Sequence, residues 1–339
     1  VFHVLHNNTD DNISDAQIQD AIRILNEDFN ASNFDIGEVI DEFQGRIGNV
    51  GIEFRLAKIA PNGVCFNGVT RTVRTTTSMD GLQQLNEVIV GNDVYREIWP
   101  HYKYLNVIVC NRLPNAYAGY TQLPVGSPTL NINHLRFNTI YILPNYLGSI
   151  GTSTVPRGRT LTHEVGHWLN LLHTWGPAEK GVCGDDFVDD TPRTSGHSGC
   201  ILSSNTCDST IDNVQNFMDY SYCSRHFTTG QAERMIEALN NNKGGRDQIC
   251  TEHNLRGVGV IAGDRACAAE IMPEHRKVCK GEVNSYLVDN LLTPIISYNW
   301  SFYGGTPSTS TEANPQITYN TAGQFPVTVV ITTASGNTT

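Results

Sequence analysis

The sequence predicts two folds in series. Residues 1–250 read as an α+β, or α/β, domain in which two long helices back a twisted, mixed five-stranded sheet and an irregular lower part follows. Residues 267–339 read as a small all-β, immunoglobulin-like sandwich, and 251–266 as a linker. Three observations lead there. Over the first 170 residues, short apolar runs alternate with amphipathic helices. After His173 that periodicity fades into Gly-, Asp- and Ser-rich chain with four clustered cysteines. From about Cys267 charged residues thin out, and short alternating runs of Thr, Ser, Val and Ile are separated by Gly, Pro and Asn.

Val1–His6 alternates as a strand. Ser14-Asp15-Ala16-Gln17 has the form of a capping box and opens a helix with Ile18, Ala21, Ile22, Leu25 and Phe29 on one face. Ile52, Phe54 and Leu56 predict a second strand and the apolar run Leu105–Cys110 a central one, with helix or loop over Asp93–Trp99 just before it. Ala118–Thr121 is a short strand inside Pro/Gly/Asn-rich chain, and Asn138–Leu143 completes five. Gly148–Gly158 then leads into a second helix, and Gly230–Asn240 is itself a last amphipathic helix, with Ala232, Met235, Ile236 and Leu239 inward. In the last part, Ile317–Tyr319 and Phe325–Thr332 alternate as sandwich strands.

The second helix carries the chemistry. His163 and His167 are four apart, so both imidazoles leave one helix face a turn apart, the geometry for two nitrogens on a tetrahedral Zn²⁺. Glu164 stands beside the first, where a carboxylate reaches a water rather than the metal. Leu161, Val165, Trp168 and Leu172 form the buried stripe that anchors the ligand face. Asn170 suits the left-handed turn that ends a helix, and a turn there returns His173 as third ligand. Three protein ligands leave an open, catalytic position.

Gly184–Pro192 puts Asp185, Asp186, Asp189 and Asp190 within six residues; they repel unless a cation such as Ca²⁺ neutralises them, or unless the loop is simply solvated. Asn216-Phe217-Met218-Asp219-Tyr220 can form a tight turn under the ligands, with Met218 beneath the imidazoles and Tyr220 aimed at an oxyanion. A net charge of −11 argues against nucleic-acid or anionic-membrane partners. No apolar run approaches the ~20 residues of a membrane span. Nine cysteines, four of them between 183 and 223, suggest an oxidising compartment, and the absence of C-x-x-C disfavours a cysteine zinc site. Cys65, Cys110 and Cys250 are unassigned, and a Cys267–Cys279 bridge is a guess. The chain opens inside a strand, so a natural N-terminus with signal and pro-segment is expected before it, and a final sandwich strand after Thr339.

H-E-x-x-H, a histidine six residues on and a Met turn together resemble the metzincin zinc endopeptidases. The phrases H-E-V-G-H-W-L, H-T-W, G-D-D-x-V-D-D-T-P and N-F-M-D-Y-S resemble the pappalysin family, in particular its bacterial ulilysin- and cytophagalysin-like branch, over residues 1–250. The resemblance implies zinc on His163, His167 and His173, Glu164 as general base, Met218 as the Met turn and Tyr220 on bound substrate. It implies calcium at Asp185, Asp186, Asp189 and Thr191, with Asp186 by side chain and the others by main chain. It also implies crossed disulfides Cys183–Cys207 and Cys200–Cys223. Two departures stand out: Asn170 replaces the usual glycine, and Tyr222 occupies the position whose acidic residue goes with a preference for Arg after the scissile bond. Tyr298–Phe302, Asn314-Pro315, Tyr319–Gly323 and Val327–Val329 resemble a PKD domain, cut at its C-terminal end.

The function so implied is a secreted, extracellular zinc endopeptidase made as a zymogen, acting on extended protein or peptide substrates. The alternative is an adhesin or matrix-binding module with an inert peptidase domain; an amidase sharing H-E-x-x-H would lack the distal histidine and Met turn.

Overall fold

The computed structural model describes residues 1–7, 10–74, 80–126, 131–261, 270–273, 277–289, 295–333 and 336–338. The chain divides into two compact units, one of 1–56 with 68–251, the other of 57–67 with 252–339.

In the first unit the elements run β1 (Phe2–His6), α1 (Asp15–Phe29), α2 (Asp41–Gln44), β2 (Ile47–Gly48), β3 (Val69–Val73), α3 (Gly81–Gly91), β4 (Val107–Val109), β5 (Gly119–Tyr120), α4 (Ile132–Phe137), β6 (Ile140–Ile142), α5 (Thr160–Trp168), β7 (Phe227–Thr228), α6 (Thr229–Leu239) and α7 (Arg246–Ile249). The main sheet has the order β3-β1-β4-β6-β5. Its first four strands are parallel and β5 is antiparallel to β6, so the sheet is mixed and β5 forms one edge. Because successive side chains alternate faces, each strand feeds two cores. Phe2, Val4, Val107, Val109, Ile140 and Ile142 pack on one face with Ile18 and Leu25 of α1 and Leu161 and Val165 of α5. Leu5, Ile108 and Tyr141 pack on the other with Leu85 and Val88 of α3 and Leu135 of α4.

Several sequence expectations are corrected here. Ile52–Leu56 joins no ladder among the described residues: the side-chain amides of Asn26 on α1 and of Asn30, its C-cap, take the backbone groups at Phe54 and Ile52. The fifth strand is Val69–Val73 instead. The capping box at Ser14 is half made. Ser14 accepts from the Gln17 backbone, but the Gln17 amide crosses to the carbonyls of Pro144 and Leu147. The helix α3 is an addition to the elements expected from the sequence, and Asp80 caps it at Leu82 and Gln83. On α6, Ala232 and Met235 face inward as expected while Ile236 is exposed, and Gln231 and Ala238 take buried places.

The second unit holds α8 (Glu252–Gly257), β8 (Glu270–Pro273), β9 (Val283–Asp289), β10 (Ile295–Phe302), β11 (Gly305–Thr306), β12 (Thr309–Ser310), β13 (Gln316–Tyr319), β14 (Val327–Thr333) and β15 (Gly336–Thr338). Sheets β12-β10-β14-β15 and β11-β13-β9-β8 enclose Tyr286, Trp300, Phe302, Ile317, Tyr319, Val329 and Ile331. The stretch expected as a linker is helical over Glu252–Gly257, and its following Val258 carbonyl accepts from Lys58 and Ile59; 262–266 lie outside the described residues. Of the guessed Cys267–Cys279 bridge, Cys267 lies outside the described residues and Cys279 is a free thiol, as are Cys110 and Cys250; Cys65 is disulfide-bonded.

Candidate metallopeptidase site

The helix α5 stops where the sequence says it should. Asn170 adopts φ 73°. Its amide donates to His167 O at 2.9 Å and the Leu171 amide to Gly166 O at 2.9 Å. This paired closure is a Schellman turn with asparagine in the left-handed position. The turn also returns a carbonyl to the site, since Leu171 O lies 2.8 Å from His167 Nδ1. His163 Nδ1 is fixed by Phe217 O at 2.7 Å.

With both Nδ1 atoms on carbonyls, the tautomer is set and each Nε2 lone pair points inward. His167 Nε2 lies 3.1 Å from His163 Nε2 and 3.1 Å from His173 Nε2. Nitrogens each about 2.0–2.1 Å from a tetrahedral Zn²⁺ stand about 3.3 Å apart, so the three histidines fit that ion. Among the described residues they are the sole cluster of three or more His, Cys, Asp or Glu donors able to hold a metal. Burial lowers His163 to about 3 and His167 to about 4, and depresses His173 further; all three are neutral, as ligands must be. The His173 ring stacks on Trp175 at 4.4 Å.

Glu164 is 5% exposed and its Oε2 has no hydrogen-bond partner. Burial pushes its carboxyl up to about 8, opposed by a hydrogen bond from the Thr121 main chain. It sits under the edge strand β5, where a Cβ on Gly119 would come 3.1 Å from its Cγ. Met218 is fully buried beneath the helix, and a Cβ on Gly166 would stand 2.4 Å from its Sδ. Both glycines were missed as site residues. A glycine inside a helix costs ~1 kcal/mol against alanine, so Gly166 carried a readable signal. Tyr220 is 49% exposed, with its ring 4.7 Å from His173 and 5.5 Å from His163. Burial and the nearby Glu164 charge raise its hydroxyl to about 12, so it is a donor at neutral pH.

The chain from 89 to 240 matches the family model described as pregnancy-associated plasma protein-A, and 268–339 matches the PKD domain. It is 31% identical over 244 residues to extracellular metalloprotease 1 of Coccidioides posadasii, covering 69% of this chain and 73% of that one. The chain is a pappalysin-family metallopeptidase. A Sordaria macrospora extracellular metalloprotease is 34% identical over 53% of this chain and 62% of its own length. The structure of Tannerella forsythia mature mirolysin in complex with a cleaved peptide superposes with TM-score 0.65 at 35% identity, covering 76% of this chain and 96% of that one. The protein is therefore a zinc metalloendopeptidase acting on peptide substrates, with a metzincin fold followed by a PKD domain.

The two disulfides of this pappalysin unit are Cys183–Cys207 and Cys200–Cys223. In the acidic loop, Asp186 is buried, its Oδ1 accepts the Val188 amide at 3.1 Å, and burial lifts it to about 7. Asp189 is exposed, while Thr191 is buried with an unpartnered hydroxyl. Phe187 takes a left-handed φ of 62°, turning the loop back. Arg234 ties this loop to the ligand helix, donating to Asn170 O at 2.9 Å and Asp186 O at 3.0 Å.

Proposed function

We propose that His163, His167 and His173 hold the catalytic zinc and that Glu164 is the general base of peptide hydrolysis in a secreted enzyme. The observation that carries this is the convergence of the His163 and His173 Nε2 atoms on His167 Nε2, each at 3.1 Å, beside a buried carboxylate with a free oxygen. Zinc bound there supplies Lewis-acid stabilisation at the scissile carbonyl and acidifies a water. Glu164 takes the proton of the attacking water at Oε2 and delivers it to the departing amine nitrogen. Tyr220, still protonated at neutral pH, donates its hydroxyl to the developing oxyanion. The outer side of β5 is a sheet edge over Glu164 with no partner strand among the described residues, and an extended substrate adds to it by main-chain hydrogen bonds. Secretion rests on relatives named extracellular metalloproteases and on the two disulfides. The same relatives and the cleaved-peptide complex of mirolysin support an active enzyme over an inert adhesive module.

Tyr222 borders a cleft of about 330 Å³ lined also by Arg159, Arg225, Asp35 and the Cys200–Cys223 bridge. Both guanidiniums are committed to carboxylates, Arg159 to Asp35 and Asp28 and Arg225 to Asp35 and Glu38, so Tyr222 is the uncommitted side chain at this cleft. Cleavage-site profiling on a library of denatured peptides should yield internal cuts that vanish on zinc chelation and return with added zinc. Cuts that persist in the stripped protein would sink the assignment.

The calcium reading rests on Asp186, a buried carboxylate without a side-chain ion pair among the described residues, and on the unpartnered Thr191 hydroxyl of the same loop. Asp185, Asp189 and Thr191 would contribute main-chain oxygens. Calcium at a hundredfold excess over its dissociation constant should stabilise the protein by about 2–3 kcal/mol. Asp186→Asn should abolish that gain in thermal unfolding; an undiminished gain would exclude this loop.

A further inference from the structure

An ion cluster behind the Met turn has no part in the chemistry above. His197 lies in the irregular chain between the two disulfides' first and last cysteines. Its Nδ1 is 2.9 Å from Asp219 Oδ2, its Nε2 is 3.0 Å from Asp212 Oδ2, and its amide donates to Asp219 Oδ1 at 2.9 Å. Asp212 Oδ2 also accepts from the Thr206 amide and hydroxyl at 2.9 and 2.8 Å. Both carboxylates are fully buried, and the imidazole is 9% exposed. With a carboxylate oxygen at each ring nitrogen, both contacts are hydrogen bonds only in the imidazolium; a neutral ring would turn a lone pair on one carboxylate. The charged groups facing it are Asp219 and Asp212, and the nearby Thr206 and Thr174 hydroxyls are neutral. Its pKa is accordingly raised, chiefly by the Asp219 hydrogen bond.

Asp219 is where this cluster meets the site. It lies between Met218 and Tyr220, and its Oδ1 accepts the Tyr220 amide at 2.6 Å. Its Oδ2 accepts the Thr174 hydroxyl at 3.3 Å, while the Thr174 amide donates to Met218 O at 3.3 Å. Thr174 directly follows His173. One carboxylate thus ties down both the residue after the third histidine and the residue bearing the oxyanion donor.

We propose that His197 is a positioning residue for peptide hydrolysis: by clamping Asp219 against Asp212 it fixes the backbone from which the Tyr220 hydroxyl reaches the oxyanion. The inference rests on the reading of Tyr220 given above. A donor that works on the transition state changes kcat, whereas general loosening changes stability and KM as well. The test is a cycle of His197→Gln, Tyr220→Phe and the double variant in the full zinc-loaded chain, with kcat counted per zinc-bound molecule. Tyr220→Phe should cost about 100-fold in kcat. His197→Gln should cost about tenfold at unchanged KM, shrinking to under about twofold in the Tyr220→Phe background, because residues acting as a unit are not additive.

Full activity in Tyr220→Phe would overturn the tyrosine reading and this inference together. An impaired Tyr220→Phe with an equal His197→Gln loss in both backgrounds, or with no His197→Gln loss, would overturn the inference alone. Asp212→Asn, which releases only the far end of the clamp, replaces the glutamine variant if that does not fold. Histidine-ring ¹⁵N spectra give a readout independent of turnover. Both His197 nitrogens should carry protons at pH 7.5, and a single-proton tautomer would remove the clamp.

Discussion

Glu164→Gln should lower kcat/KM by about 10³–10⁴-fold while leaving one zinc bound per chain, the upper range for losing a general base. The amide keeps the shape of a side chain that is 5% exposed and pressed under Gly119, so packing is conserved. What is lost is proton acceptance at an oxygen no other group occupies. Stability gives a second signature in the zinc-stripped protein. There burial holds the folded carboxyl at about 8 against an ordinary value of 4.5. Between those values the unfolded chain is ionised and the folded one is not, so wild-type stability falls as pH rises from about 5 to 8. The glutamine variant should lose that slope. Metal analysis, peptide turnover and denaturation at two pH values check the three parts. A variant retaining a tenth of wild-type activity would refute the role of Glu164.

Arg159→Met should destabilise the protein by about 3 kcal/mol, the scale for removing one partner of a buried ion pair. Arg159 forms a bidentate pair with Asp35, approaches Asp28 at 3.4 Å and donates to Ser224 O at 2.6 Å. Its own side chain is 16% exposed, against 1% for Asp28 and 9% for Asp35. Arg225 remains only as a 3.4 Å neighbour of Asp35. The guanidinium also lies 5.4 Å from the Phe217 ring centre, and Phe217 O is the group that orients His163. Zinc affinity should therefore fall with stability. Burial already lifts Asp28 to about 7 and Arg159 is the main force pulling it down, so the variant should raise it further. A carboxyl raised in the folded state costs stability as pH rises, so the variant should lose further ground to wild type above about pH 7, where wild-type Asp28 is already ionised. Urea unfolding with zinc in excess checks this; a loss below about 1 kcal/mol would mean the cluster is solvated.

The fold and the site were legible to different depths. The ligand helix could be read because all of its logic is local: His163 and His167 a turn apart, Asn170 in the left-handed turn, His173 just beyond. The sheet was readable wherever a strand is apolar on both faces, as at Val107–Val109. Val69–Val73 is hidden in the sequence because its inner residues Thr70 and Thr72 are polar yet buried, and Ile52–Leu56 reads as a strand because apolar alternation cannot tell a ladder from a segment held by Asn26 and Asn30. What supports the ligands was not readable, because it comes from afar. The Phe217 carbonyl on His163 and the Met218 sulfur under Gly166 lie some fifty residues downstream of the helix. Asp212, His197 and Asp219 meet only in three dimensions.

The two disulfides overlap along the chain, Cys183–Cys207 enclosing Cys200, and Cys200–Cys223 enclosing Cys207. Every peptide bond from Cys183 to Cys223 is therefore spanned by at least one bridge, and those between Cys200 and Cys207 by both. That stretch includes the exposed turn at Ile201, Asn205 and Thr206, the kind of segment a peptidase attacks in its own copies. A single autolytic nick anywhere in it leaves the Met turn covalently joined to the ligand helix. The crossed pairing thus makes the enzyme tolerant of its own activity in the part of the chain with the least regular structure to protect it.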